Sequence, residues 1–138
     1  NRVYYLGDLR YGSDEVSAGY YRNKLRGRIN FVRGNHDVHE QETASLVLLE
    51  HGGFRFCLVH DPSDAPEGFD GWVIHGHHHN NNLSRYPFIN FELRRINVSA
   101  EVLGYIPVNL DHICSLIRGR LSGADRTPIL LNYSYCLE

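Results

Sequence analysis

Val3-Tyr4-Tyr5-Leu6-Gly7-Asp8, answered further on by Arg28-Ile29-Asn30-Phe31-Val32-Arg33-Gly34-Asn35-His36-Asp37, is the part of this 138-residue chain that decides its fold. The first run is short and apolar and stops at a Gly-Asp turn, which reads as a buried strand. The second alternates polar and apolar residues and stops at Arg33-Gly34, a second strand. Between them Ser13 is placed to cap a helix running to about Arg26, with Val16, Tyr20 and Leu25 inward and Gly27 just past its end. Strand, helix, strand predicts a parallel pair with a right-handed crossover, and so an α/β fold.

Working outward, Phe54–Val59 reads as a strand ending at His60, and Trp72-Val73-Ile74 as one ending at His75-Gly76-His77-His78-His79. Residues 95–102 alternate through Ile96, Val98 and Ala100, which predicts another strand. Asn109 then caps a helix to about Leu121, with Leu110, Ile113, Leu116 and Ile117 at helical spacing. The tail from Ser122 carries Ile129-Leu130-Leu131, a last strand or an ordered extension. His39 and His51 fall in what reads as a polar, solvent-facing loop, and His112 as a surface residue.

Composition bounds the function. The chain is 42% hydrophobic and 22% charged, ordinary for one globular domain, and its formal net charge is -2. That balance argues against bulk attraction to nucleic acid or to an anionic membrane. No apolar stretch approaches the roughly 20 residues needed to span a bilayer. Cys57, Cys114 and Cys136 form no CxxC pair, which with the lack of a signal-peptide layout predicts reduced thiols and a cytoplasmic protein. Three glycosylation sequons, including Asn97-Val98-Ser99, then read as chance. The chain has no methionine and opens on Asn1-Arg2, so the natural protein is expected to extend upstream.

The histidines are the anomaly. Eight of the nine lie between His36 and His79. Asp8, Asn35-His36, His60 and His77 to His79 each follow a predicted strand, and the C-terminal edge of an α/β sheet is where ligands bind. Asp8, Asn35, His60, His77 and His79 together offer nitrogen and oxygen donors without thiolate, a set suited to Mn, Fe, Zn, Co or Ni. In an extended segment His77 and His79 share one direction and His78 the other. His75 reads equally as a support for a ligand or as a plain strand residue.

Gly7-Asp8, Gly34-Asn35-His36-Asp37, His60 and Gly76-His77-His78-His79 resemble, in this order, the later motifs of the calcineurin-like metallophosphoesterases. The surrounding runs, Tyr5 to Gly12, Cys57 to Pro62 and Asn97 to Leu110, look like a small prokaryotic branch described as predicted phosphoesterases. The resemblance covers about Val3 to Ile117. It implies a calcineurin-like four-layer αββα sandwich lacking its first strand, with residues 1–121 as the metallophosphoesterase domain and 122–138 as a C-terminal extension. It also implies two divalent transition metals. Asp8 would bridge them, Asn35, His60 and His77 would complete one, and His79 would hold the other. In the family that other metal also takes an Asp-x-His motif, and none precedes Asp8 here.

The activity implied is metal-dependent hydrolysis of a phosphomonoester or phosphodiester by a hydroxide bridging the metals. His36 would stand beside the leaving oxygen as cation or acid, with Asp37 orienting its ring. Arg10 and Arg33 are candidates to clamp phosphate oxygens, although each reads first as a solvated surface charge. The expected partner is a small phosphate ester such as a nucleotide, with no membrane or nucleic-acid partner. The exposed sheet edge left by a missing strand predicts self-association. Two other readings stand beside this one, a non-catalytic scaffold of the same fold and a histidine-rich metal-binding protein.

Overall fold

The structure, a computed structural model, describes residues 2–9, 17–37 and 43–132. It is mixed α/β, with a two-stranded and a five-stranded sheet and few helices. β1 (Arg2–Tyr5) and β2 (Arg28–Phe31) pair in parallel, Tyr5 beside Phe31, with α1 (Ala18–Arg22) between them in sequence. A parallel bridge from Val32 to Ala44 joins a further segment to the end of β2.

The helix is shorter than the sequence predicts. Ser13 and Val16 lie outside the described residues. Ser17 occupies the cap position without a side-chain cap bond, and the helix stops at Arg22 rather than near Arg26. Tyr20 and Leu25, expected inward, are exposed, because five residues make too little helix to bury a face. Gly27 does adopt the left-handed conformation, at φ 102°, as the chain turns into β2.

The five-stranded sheet runs β3-β4-β5-β7-β6, with β3 (Leu46–His51), β4 (Phe54–Val59), β5 (Trp72–His75), β6 (Ile89–Asn90) and β7 (Arg95–Asn97). β4, β5 and β7 are parallel, and antiparallel β3 and β6 flank them. β3 replaces the polar loop expected around His51. It forms a hairpin with β4 over Gly52-Gly53, both at positive φ, the two-residue loop whose twist suits paired strands. The strand expected at residues 95–102 ends at Asn97, and Ala100–Leu103 forms a short helix, α2, closed by Gly104 in the left-handed region. α3 (Leu110–Leu121) matches expectation, with the Asn109 side chain accepting the Asp111 amide.

β4 is buried on both faces, as a central parallel strand should be. Phe56 and Leu58 join Trp72, Ile74, Phe88, Ile96 and the α3 residues Ile113 and Ile117 in the main core. Cys57 and Val59 face the other way, against Val73 and Phe69. Ile129 pairs with Ile89, and Asn132 donates its amide to the Val102 carbonyl, so the described part of the tail packs on the domain. Cys57 and Cys114 are buried free thiols, and burial pushes both up from the usual thiol range. Cys136 lies outside the described residues. Among the described residues no helix is long and apolar enough to cross a membrane.

Candidate metal centre

Four loops meet past the ends of β1, β2, β4 and β5. Gly7 and Asp8 leave β1 at φ 93° and 54°, a bend that brings the β1 turn against Gly34. The fit there is close. A Cβ on Gly34 would stand 2.2 Å from Asp8 Oδ1, and one on Gly7 would stand 2.6 Å from both the Gly34 Cα and His60 Nδ1. Real side chains cannot occupy those positions, which is the physical reason for glycine in both motifs.

Asp37 ties the two turns together. It is 5% exposed, and its Oδ2 accepts the amides of both Asp8 and Gly34 at 2.8 Å. This is a task beyond the expected one of orienting the His36 ring: one carboxylate oxygen joins the two backbone turns. Its Oδ1 is buried without a hydrogen-bond partner among the described residues. His36 is exposed, and its amide donates to Asp8 Oδ1 at 3.0 Å, which leaves Asp8 Oδ2 to face inward.

Asp8, His60 and His77 each point one ligand atom at a common spot, with those atoms within 4.8 Å of one another. His60 is buried, and its Nδ1–H donates to the Leu6 carbonyl at 2.7 Å. A carbonyl only accepts, so in the neutral ring Nε2 carries the lone pair. That nitrogen lies 3.2 Å from Asp8 Oδ2, 2.8 Å from Asn35 Oδ1 and 3.2 Å from His77 Nδ1. His77 Nδ1 lies 3.1 Å from the same Asn35 oxygen. With the ring neutral, carboxylate, amide oxygen and imidazole lone pair face one another, a repulsion that a metal cation, or a proton on Nε2, relieves. Donors about 2.1 Å from one cation lie about 3.0 to 3.4 Å apart in octahedral or tetrahedral arrangements, close to the spacings here. The donor set and its geometry fit a divalent transition metal.

Asp61, which the sequence reading passes over, supports this group. Its Oδ1 accepts the Ser63 amide and hydroxyl, and its Oδ2 lies 3.5 Å from His77 Nε2. Burial by itself would raise the Asp61 carboxyl. The Ser63 hydrogen bonds, with His77 and His78, outweigh burial and hold it below the usual range. An anion beside Nε2 favours the proton there and leaves Nδ1 facing Asn35 and His60.

The histidine run is a turn, not an extended segment, so alternation does not govern it. His77 and His79 both have positive φ, 66° and 50°. Asn97, fully buried, holds this turn by donating to the carbonyls of His79 and Tyr86 at 2.9 and 3.0 Å. Its Oδ1 accepts the Ser99 amide, which is also what ends β7. His79 stands outside the three-residue group and donates Nδ1–H to Glu101 at 2.9 Å. His78 stacks on Tyr86 at 3.6 Å with the rings nearly parallel, and burial, then His77, pushes it down from the usual imidazole range. His75 is buried, with Nδ1 2.9 Å from the Gly76 carbonyl, and burial lowers it to about 4.

A cleft of about 450 Å³ opens over the group. Arg33, Ser45, Asp61 and Asp64 line it beside Asn35, His60 and His77. Arg33 is exposed and donates Nε–H to Thr43 at 3.3 Å. Arg10 lies outside the described residues, as does His39. Tyr5 stands near the inner wall, where burial, then the charges of Asp37 and Asp8, raises its hydroxyl. His51 is remote from the centre and pairs with Asp111 at 2.6 Å.

No family model matches the chain. Over 117 residues it is 46% identical to an uncharacterized protein of Methanocaldococcus jannaschii, an alignment taking in 83% of this chain and 65% of that protein. The chain therefore spans under two thirds of that relative's length. The crystal structure of a protein of unknown function from Aquifex aeolicus superposes with a TM-score of 0.59 at 24% identity, covering 84% of this chain and 76% of that one. The likeness concerns the fold alone, and it agrees with a mixed α/β architecture.

Proposed function

We propose that this chain holds a divalent transition metal through Asp8, Asn35, His60 and His77 and serves a metal-dependent phosphoesterase of the calcineurin-like kind. The observation that carries the reading is that Asp8 Oδ2 and Asn35 Oδ1 lie 3.2 and 2.8 Å from His60 Nε2, with His60 and Asp8 each held from behind by a backbone group. A cation bound there supplies Lewis-acid stabilisation of negative charge on a phosphoryl group. The chain's own residues do the rest. Leu6 fixes the His60 tautomer, and the His36 amide fixes the Asp8 carboxylate. Arg33 places a permanent positive charge on the cleft wall, suited to a phosphate oxygen. On this reading the fold is the calcineurin-like sandwich, the substrate is a phosphate monoester or diester, and the protein works in the cytoplasm.

A second reading, metal binding without hydrolysis, is favoured by the engagement of His79 with Glu101. Hydrolysis of bis(4-nitrophenyl) phosphate with and without Mn²⁺ separates the two. The phosphoesterase reading expects metal-dependent turnover that Asp8→Asn abolishes. Tight metal binding with no turnover of this diester or of 4-nitrophenyl phosphate would favour the second.

A further inference from the structure

We propose that the face built by β1, α1 and β2 binds a single-stranded polynucleotide through its phosphates and bases. The whole-chain charge of -2 conceals a strong local asymmetry. From Ser17 to Asn35 the chain carries Arg22, Lys24, Arg26, Arg28 and Arg33 and no carboxylate. Residues 1–37 hold seven Lys or Arg against four Asp or Glu, a surplus of three positive charges, so the remainder carries -5. Two of those four acids, Asp8 and Asp37, are committed to the candidate metal centre. The other two, Asp14 and Glu15, lie outside the described residues.

Two of the cations are neighbours in space as well. Arg2 and Arg28 are register partners on adjacent strands, and both are exposed. Like charges side by side on a sheet cost stability, so folding alone does not account for this pair. Arg2, Lys24, Arg26 and Arg28 make no ion pair among the described residues, unlike Arg94 with Asp70 and Arg120 with Asp125. Two aromatic rings stand among them, Tyr20 at 49% and Tyr21 at 40% exposure, with the Lys24 ammonium 4.5 Å from the Tyr20 ring centre. Cations interleaved with partly exposed rings are what a polynucleotide strand uses, its phosphates neutralised by the former and its bases stacked on the latter.

The test is fluorescence anisotropy of a 5′-labelled 20-nucleotide oligothymidylate titrated with the protein in EDTA, at 50 to 200 mM KCl, which keeps the metal centre out of the measurement. The proposal expects binding that weakens with salt. Lys24→Gln/Arg26→Gln/Arg28→Gln should weaken it at least tenfold and reduce the salt slope by about 2, since each phosphate left without its cation removes about 0.7. Tyr20→Ala/Tyr21→Ala should weaken it with the slope unchanged. Thermal melts report that each variant is folded. No binding at 50 mM KCl, binding untouched by both surface variants, or preference for phosphatidylserine vesicles would overturn the proposal.

Discussion

The Asp37 carboxylate accepts the amide of Asp8 from 29 residues away, and the same oxygen accepts the amide of Gly34. One buried atom thus fixes the distance between the β1 turn, which carries the inward-facing carboxylate, and the β2 turn, which carries Asn35. Asp37→Ala should leave the buried Gly34 amide and the part-buried Asp8 amide without an acceptor, at about 1 to 3 kcal/mol each. Urea unfolding should show a loss within about 2 to 6 kcal/mol, whereas Asp37→Asn, which keeps one accepting oxygen, should lose less. Equal stability of Asp37→Ala and the unaltered protein would mean the two turns hold together by other means.

Gly34→Ala tests the closeness of that approach. The added methyl would lie 2.2 Å from Asp8 Oδ1 and 2.3 Å from the Asp8 amide, so the turn must move rather than adjust. Overpacking of this kind costs about 1 to 3 kcal/mol. The sharper expectation is a cation affinity at least tenfold weaker by calorimetry, since Asp8 is the group displaced. Unchanged affinity would show that Asp8 is not a ligand.

Asn97→Ala should loosen the histidine turn from behind. The carbonyls of His79 and Tyr86, in part-buried places, and the amide of Ser99, in a buried one, would each lose a partner. A loss of about 2 to 4 kcal/mol is expected, with reduced hydrogen-exchange protection across residues 75–86. Asn97 also heads a glycosylation sequon, and its complete burial keeps the side chain from any modifying enzyme in the folded protein.

His75 should make stability depend on pH. Its unfolded imidazole titrates near 6.5 and its folded one, desolvated beneath His78 and Tyr86, at about 4. Between those values the unfolded chain binds more protons, so stability rises with pH. The contribution is complete above about 6.5, is lost as pH falls, and levels off near 4, for a total of about 3 kcal/mol. Unfolding free energies at pH 7 and 4.5 should differ less in His75→Gln than in the unaltered protein. Equal differences would place the acid sensitivity elsewhere.

Much of this arrangement is legible in the sequence because each candidate ligand follows a short apolar strand. Asp8, Asn35, His60 and His77 are found by that rule, and the structure brings them together. What is not legible depends on contacts remote in sequence. The positive φ of His77 and His79 belongs to a turn that Asn97 holds from another strand, so alternation misleads there. Asp61 stands beside His60 in sequence, but its proximity to His77 needs the parallel pairing of β4 and β5. β3 is missed although Gly52-Gly53 signals a hairpin, because Glu50 and His51 make its end look like loop. The basic face escapes a reading based on total charge, since acids elsewhere in the chain cancel it.

The central claim is that Asp8, Asn35, His60 and His77 grip one cation. Anomalous diffraction from crystals grown with Mn²⁺, collected near the manganese edge, tests it most directly. The expected result is a peak about 2.1 to 2.3 Å from Asp8 Oδ2, His60 Nε2 and His77 Nδ1, absent from Asp8→Asn crystals. A metal bound elsewhere, or none at millimolar Mn²⁺ with these side chains placed as here, would contradict it.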